Sequence, residues 1–430
     1  MGIEEIYAWY RRHPSVCTDT RKIKAGDIYL ALKGPHFNGN LFAEKALEAG
    51  ASCVIVDEST GTPPEKTISV PDTLATLQHL ALYHRRQLSC KVMAIAGSNG
   101  KTTTKELIAA VLRTTRKVFA TPGNLNNHIG VPLSLLMIAP DTEVAVLELG
   151  ANHLGETRDL CQWVEPDLGL ITNNGKDHLE GYGNLENVKR GNGELYDYLR
   201  SRNRPVLVCT NEQDLMELSA GMERITYGSA SGDAVAGRVI EAAPFLKVAC
   251  RVNGETLMLE THLAGAYNLN NVLAAVCAGY YFGISPDRIA QGIAGYVPSS
   301  NRSQVRQEGS NTFIMDCYNA NPSSMSASLR SFAAMPFENK IAVLGDMAEL
   351  GAASVAEHRL ILELTHSLPL QEVFYCGPIF FACGEKATPH HRFFPTLESL
   401  QEYFHSRSFQ NAAFLLKASR SMGLERLLNA

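Results

Sequence analysis

The stretch Ala94-Ile-Ala-Gly-Ser-Asn-Gly-Lys-Thr-Thr-Thr104 decides how the rest of the chain is read. Val92 to Ala96 is a short apolar run of strand character, and the residues from about Thr102 to Thr114 read as a helix. Between them Gly97 and Gly100 let backbone N–H groups turn inward, and the start of a helix adds positive potential at the same place. Lys101 has the reach to meet the outer phosphates of a nucleotide, and the Thr102 hydroxyl suits Mg²⁺. The segment is a candidate phosphate cradle, with Gly97, Ser98, Asn99, Gly100, Lys101, Thr102 and Thr103 as its nucleotide-facing residues. The usual P-loop pattern wants glycine where Ile95 stands, so this is a shortened G-x-x-G-K-T variant. Alone, such a match also describes a surface turn; the strand before it and the helix after it favour the cradle.

Working outward, apolar strands at Val144 to Leu147, Leu168 to Thr172 and Val206 to Cys209 alternate with helix-like stretches, which predicts a parallel sheet with helices on both faces. Before the cradle, Ile28 to Leu32 and Cys53 to Val56 flank the helical pattern FAEKALEAGA, and another helix-like stretch runs from Asp72 to Leu88. After it, residues 224–262 alternate strand-like pieces with Gly and Asn turns, suggesting an antiparallel flap, and an Ala-rich helix follows from Asn268 to Phe282. GYVPSSNRS at 295–303 is punctuation, beyond which the strand and helix rhythm resumes at Phe313 and Ile341. The expected fold is α/β in three domains, 1–88, 89–297 and 298–430, the central one built on a P-loop-type, mostly parallel sheet.

A chain of 430 residues leaves room for about three domains at roughly 150 residues each, and its 45% hydrophobic and 19% charged residues exclude a largely disordered protein. With 39 Lys and Arg against 44 Asp and Glu, the net charge of −5 gives no basic field for a polyanion, so nucleic acid is not an expected partner. The ten cysteines form no Cys-x-x-Cys pair or zinc-type grouping and read as reduced thiols. The best apolar run, Val131 to Pro140, is broken by Pro and Ser and is about half the length of the roughly 20 residues a membrane span needs. A cytoplasmic, monomeric protein without a transmembrane segment is expected.

Three further places carry chemistry. Glu148 ends a strand at the carboxyl edge of the sheet, where α/β ligands bind, and is a Mg²⁺ ligand candidate; a solvated or capping carboxylate is the plainer reading. His178, in a loop after another strand, suits a second cation or a phosphate, although a lone loop histidine is usually structural. Asp316-Cys-Tyr-Asn-Ala-Asn-Pro322 and Gly265-Ala-Tyr-Asn-Leu-Asn-Asn271 are dense in hydrogen-bonding groups that suit a nucleoside or, equally, turns and caps.

Taken in order, these segments resemble the Mur ligase family. Thr18-Asp-Thr-Arg21, Ala31-Leu-Lys-Gly34, Gly97 to Thr102, Gly123 to Pro132, Glu148 to Asn152, His178 to Gly183, Tyr318 to Pro322, Leu344 to Gly351 and Leu416 to Arg420 carry the likeness along nearly the whole chain. NLNN, YNANP and GDMAELG look like the branch that adds D-Ala-D-Ala to UDP-N-acetylmuramoyl-tripeptide. The resemblance implies an N-terminal domain for the UDP end of the substrate, a central ATPase domain and a Rossmann-like C-terminal domain. ATP and Mg²⁺ would be its cofactors, and the reaction would pass through an acyl phosphate. Carried over residue by residue, Lys101, Glu148 and His178 would be catalytic, Thr102 and Glu148 would hold one Mg²⁺, and His178 would help a second. Asn271, Arg302, Asp316 and Asn319 would contact the nucleotide, Asn126 and Asn127 would face the substrate, and Thr18, Asp19, Arg21 and Lys33 would serve its uridine end. Lys417 and Arg420 would steady the incoming carboxylate.

The likeness breaks at one position that matters. Family members generally have, in a stretch like Lys-Gly-Glu, a lysine that CO₂ converts to a carbamate for the second Mg²⁺; this chain reads Asn192-Gly-Glu-Leu-Tyr196. Asn has no amine to carbamylate. Lys189, three residues earlier and on the same face if the segment is helical, is either its substitute or a solvated surface lysine. Phe37-Asn-Gly-Asn40 and Ala418 also depart from the pattern. Two competing readings follow: a small-molecule phosphotransferase, which leaves 1–88 and 298–430 unexplained, and a nucleotide-binding homologue with impaired catalysis, motivated by Asn192 alone.

Overall fold

The computed structural model describes residues 2–299, 301–384 and 388–428; Ser300, within the punctuation at 295–303, lies outside the described residues. The fold is α/β, and the chain forms two compact units. One comprises Met1–Ile95, Arg116–Ala151 and Gly155–Gly169, the other Ala96–Thr115, Asn152–Leu154 and Leu170–Ala430.

The first unit holds a four-stranded parallel sheet in the order Val16–Cys17, Ile28–Leu30, Cys53–Val56, Thr67–Ser69. Ile28–Leu30 and Cys53–Val56 are buried at every position, the signature of parallel strands covered on both faces. Tyr29, Ala31, Val54 and Val56 pack against Ala43 and Ala46 of the helix Ala43–Glu48. Asp72 accepts the Ala75 N–H at 2.8 Å and so starts the helix Thr73–Arg85.

The central sheet has nine strands in the order Glu255–Glu260, Lys247–Val252, Val235–Glu241, Arg224–Gly228, Val206–Cys209, Leu168–Ile171, Lys91–Ala96, Val144–Glu148, Val118–Ala120. The segment 224–262 therefore extends this sheet and is not a separate flap. Arg224–Gly228 pairs parallel with both neighbours, and antiparallel pairing begins only beyond Val235. Of the turns that suggested a flap, the one at 252–255 is a hairpin connection between antiparallel strands, whereas the one at 228–233 joins two parallel strands.

The six-stranded sheet of the second unit runs Gln304–Glu308, Asn311–Asp316, Ala412–Lys417, Asn339–Gly345, Glu372–Cys376, His391–Phe394, antiparallel only at its first pair. Strand alternation sorts its core into two layers. Ile314, Ala342, Leu344, Ala413 and Leu415 face one layer, while Phe313, Met315, Ile341, Val343, Phe414 and Leu416 face the other. Among the described residues no helix is long and apolar enough to cross a membrane.

Candidate active site

In the second unit, the loop 97–100 leaves its strand with φ +119° at Gly97 and enters the helix Lys101–Arg113 with φ +80° at Gly100. Both glycines are required. A Cβ at Gly97 would collide with the Thr172 hydroxyl and lie 2.8 Å from the Thr172 N, and one at Gly100 would lie 2.6 Å from Asn271 Oδ1. The loop rests on the segment 172–178. Ser98 N donates to the Asn173 carbonyl at 2.9 Å, Asn99 N to Asn173 Oδ1 at 3.1 Å, and the Ser98 hydroxyl to Asp177 at 2.6 Å. Lys101 Nζ folds back onto the Gly97 carbonyl and, at 3.2 Å, the Ser98 carbonyl. Thr102 is half-buried in the first helical turn and Thr103 is buried behind it.

Asn271 braces this turn from the side. Its Oδ1 accepts from Thr104 at 3.1 Å and its Nδ2 donates to Asn268 at 2.9 Å. Asn321 caps the helix Pro322–Ala333 and donates from Nδ2 to Asn99 Oδ1 at 2.8 Å, tying the Tyr318-Asn-Ala-Asn segment to the cradle. His178 sits in a left-handed conformation, φ +46°, a strained backbone held by its surroundings. Its Nδ1 lies 2.9 Å from Glu349 Oε2, and the imidazole holds that carboxyl below the usual carboxylate range. A proton on Nδ1 leaves Nε2 as the acceptor. Lys176 pairs with Glu357 at 2.6 Å.

Asp316 and Lys417 stand opposite each other on paired strands and form an ion pair of 2.7 Å, with the Lys417 side chain 3% exposed. Asp316 also accepts from the Ser328 hydroxyl at 2.7 Å, and Lys417 Nζ lies 3.4 Å from the Asn319 carbonyl. Asn319 is exposed and closes its turn on the Ala320 N–H. The guanidinium carbons of Arg302 and Arg420 lie over the Tyr318 ring, 3.5 and 4.7 Å from its centroid.

In the first unit, Glu148 is buried, takes its backbone hydrogen bond from N–H to the Thr121 hydroxyl at 2.9 Å, and accepts from Asn126 Nδ2 at 2.8 Å. Asn127 has the cap chemistry its residue type favours. Its Oδ1 accepts from Ile129 N and Gly130 N at 3.1 and 2.8 Å, leading into the helix Gly130–Leu136. Asp19 forms a two-pronged contact with Arg21, both at 2.9 Å, which lowers its carboxyl to about 2. Thr18 is half-buried beside it, and Lys33 lies 3.2 Å from Asp57 and 3.3 Å from Glu58.

Asn192 lies on the helix Leu185–Arg200, which places Lys189 one turn before it. Asn192 Nδ2 donates to Asn174 Oδ1 at 2.8 Å, and Asn174 Nδ2 donates to Asp214 at 2.7 Å, so the amide is committed to a chain that holds the 172–178 segment. Lys189 is half-buried. Burial, with the Asp214 charge adding to it, pushes the neighbouring Glu212 carboxyl up to about 7. A carboxyl raised in the folded state binds its proton more tightly there than in the unfolded chain, so its folding contribution falls as pH rises from the ordinary 4.5 to about 7. Glu212→Gln is expected to flatten the Tm-against-pH curve over that window; an unaltered curve would refute the assignment.

Among the described residues no three His, Cys, Asp or Glu gather into a metal-binding group. Mg²⁺ needs no such group, because it keeps several waters and binds through one or two carboxylates together with substrate phosphates. The Thr102 hydroxyl at the cradle of one unit and the buried Glu148 carboxylate of the other are each hard oxygen donors of the kind such an ion prefers, so the donor chemistry of each fits.

The sequence reading isolated His178 but missed Asn173, Gly175 and Asp177, which support the cradle, and Asn321, which reaches it. The available signal was strand adjacency. Leu168–Ile171 lies beside Lys91–Ala96, so the loops at their carboxyl ends meet.

Three family models match the chain: "Mur ligase family, catalytic domain" over 14–85, "Mur ligase middle domain" over 95–279, and "Mur ligase, glutamate ligase domain" over 301–419. The UDP-N-acetylmuramoyl-tripeptide–D-alanyl-D-alanine ligase of Bacillus subtilis is 33% identical over 96% of this chain and 92% of its own length. The Escherichia coli ligase of the same name is 31% identical over 97% and 93%. Among solved structures, MurF from Acinetobacter baumannii superposes with a TM-score of 0.88 at 28% identity, covering 96% of this chain and 92% of that one. MurF from Thermotoga maritima in complex with ADP gives 0.85 at 25% identity, covering 96% of each.

Proposed function

Since the chain belongs to the Mur ligase family, we propose that it is an ATP-dependent amide ligase joining D-Ala-D-Ala to the terminal carboxylate of UDP-N-acetylmuramoyl-tripeptide in peptidoglycan precursor synthesis. The observation that carries this reading is the braced glycine loop, with Lys101 at its mouth and the segment 172–178 beneath it. In the first step the peptide carboxylate attacks the γ-phosphorus of ATP, a new P–O bond forms, and the bond to the β–γ bridging oxygen breaks to release ADP. In the second, the amine of D-Ala-D-Ala attacks the acyl phosphate carbonyl, loses a proton and expels inorganic phosphate. Anion meets anion in the first step, so charge neutralisation is the main task.

Lys101 swings from the Gly97 and Ser98 carbonyls to the β and γ phosphates, joined by N–H groups at the start of the helix Lys101–Arg113, since those of Ser98 and Asn99 are bonded to Asn173. Thr102 and Glu148 would hold Mg²⁺, which when bound neutralises phosphate charge. His178, its Nδ1 beside Glu349, keeps Nε2 as the nitrogen that would help a second cation. Asn271, Arg302, Asp316 and Asn319 serve the nucleotide. Asn126, Asn127, Thr18, Asp19, Arg21 and Lys33 serve the peptide and uridine ends. The chain works as a cytoplasmic monomer in three domains, 1–88, 89–297 and 298–430.

Phosphate release from ATP, measured with both acceptor and dipeptide, tests the reading. Release that needs UDP-N-acetylmuramoyl-tripeptide and D-Ala-D-Ala together is expected from the native chain, with Asn192 in place. Silence from the native chain and release from Asn192→Lys would overturn it in favour of a catalytically impaired nucleotide binder. Lys189→Ala in the same assay separates the two readings of that lysine: loss of release assigns it the missing amine's role, and full activity makes it a surface residue.

A further inference from the structure

The paired strands Asn311–Asp316 and Ala412–Lys417 put Asp316 opposite Lys417, so the chain continuing from each arrives at one sheet edge. Two residues past Asp316 stands Tyr318, and three residues past Lys417 stands Arg420. Arg302 reaches the same ring from the segment before the sheet. The cations here are not equivalent. Lys417 is neutralised by Asp316, whereas the guanidinium groups of Arg302 and Arg420 make no hydrogen bond or ion pair among the described residues and are seated on the Tyr318 ring. Two like charges brought together repel, and the electron-rich face of an aromatic ring offsets that repulsion without occupying a single guanidinium N–H. A carboxylate in the same place would have consumed the donors. The ring is also close to the nucleotide loop in the chain's own connectivity, because Asn321, three residues on, is bonded to Asn99 of the cradle.

We propose that Tyr318 is a positioning residue that holds Arg302 and Arg420 side by side with their donor edges free, so that the pair grips the phosphoryl group in transfer. Resting on the ligase reading above, this adds what aims the two arginines. A phosphoryl group in flight carries its charge on three equatorial oxygens, which suits two planar forks better than the two oxygens of a carboxylate. The Tyr318 hydroxyl has no part in this, and the ring face has all of it.

The full-length protein carrying Tyr318→Phe or Tyr318→Leu tests the assignment. Tyr318→Phe keeps the ring and is expected to stay within about 3-fold of native kcat. Tyr318→Leu is expected to lower kcat by about 5- to 30-fold, the size of two cation–π contacts at exposed sites, with KM for ATP and Tm little changed. Binding of ADP, followed with and without vanadate as a phosphoryl mimic, gives a readout independent of turnover: ADP alone should bind both variants alike, and the tightening by vanadate should vanish only in Tyr318→Leu. In an Arg302→Ala, Arg420→Ala background the leucine should cost nothing more. A leucine variant with native kcat and native vanadate tightening, or a phenylalanine variant as impaired as leucine, would overturn the proposal. Absence of phosphate release from the native chain would instead overturn the ligase reading, with the vanadate comparison still deciding the role of Tyr318.

Discussion

Lys101→Ala is expected to lower ligation by about 10²- to 10³-fold, the cost of removing one preorganised donor from a developing anion. The loss should fall on kcat, and on ADP binding to a smaller degree, because the loop N–H groups survive the substitution. Structure predicts a nearly unchanged Tm. The loop is held from outside by Ser98 on Asp177, Asn99 on Asn173 and Asn321 on Asn99, none of which involves Lys101. The ammonium also bonds the Gly97 and Ser98 carbonyls, and because both residues are buried, the small fall in Tm that is expected comes from these two acceptors. Lys101→Arg separates charge from shape. A broad fork cannot sit between two phosphates as a compact ammonium does, so restoring the charge alone should recover little activity. Phosphate release under single-turnover conditions measures the effect, and an alanine variant within about 3-fold of native would remove Lys101 from the mechanism.

How much of this was legible before the structure depends on the range of the interaction that decides it. The cradle could be read because its parts are contiguous: strand, two glycines, lysine and helix lie within Lys91 to Arg113. Two strands of the six-stranded sheet, at Phe313 and Ile341, were equally open to reading, since a short continuous apolar run is a local signal. What supports the cradle was not. Asn173 and Asp177 look like ordinary loop residues, and their role follows only from the order of parallel strands, which no short window contains. The flap misreading has the same origin. The Asn253-Gly254 turn predicts its hairpin correctly, but the turn at 228–233 joins parallel strands, and whether such strands stand alone or extend an existing sheet depends on a strand edge far away in sequence. Asn192 shows the reverse case: the missing amine was evident from the sequence, whereas the bonds from its amide to Asn174 and on to Asp214 were not.

Lys417→Met should destabilise the protein by about 3–5 kcal/mol, the usual cost of removing one partner from a buried ion pair. The sequence reading assigned this lysine to an incoming carboxylate, and the two roles predict different measurements. As a substrate contact, its removal raises KM and leaves the urea midpoint alone. As the partner of Asp316, its removal strands a carboxylate that is 15% exposed and retains only the Ser328 hydroxyl, so the midpoint falls at constant m-value while KM for those molecules that remain folded moves little. The second outcome is expected, because the ammonium is 3% exposed and already holds both Asp316 and the Asn319 carbonyl. Pairing Lys417→Met with Asp316→Leu removes both charges, and much of the forfeited stability should return. That recovery would come without a return of activity if Asp316 serves the nucleotide. Arg420 and Arg302, their guanidinium groups free of any such pairing, are then the cations left to meet an anion at this edge.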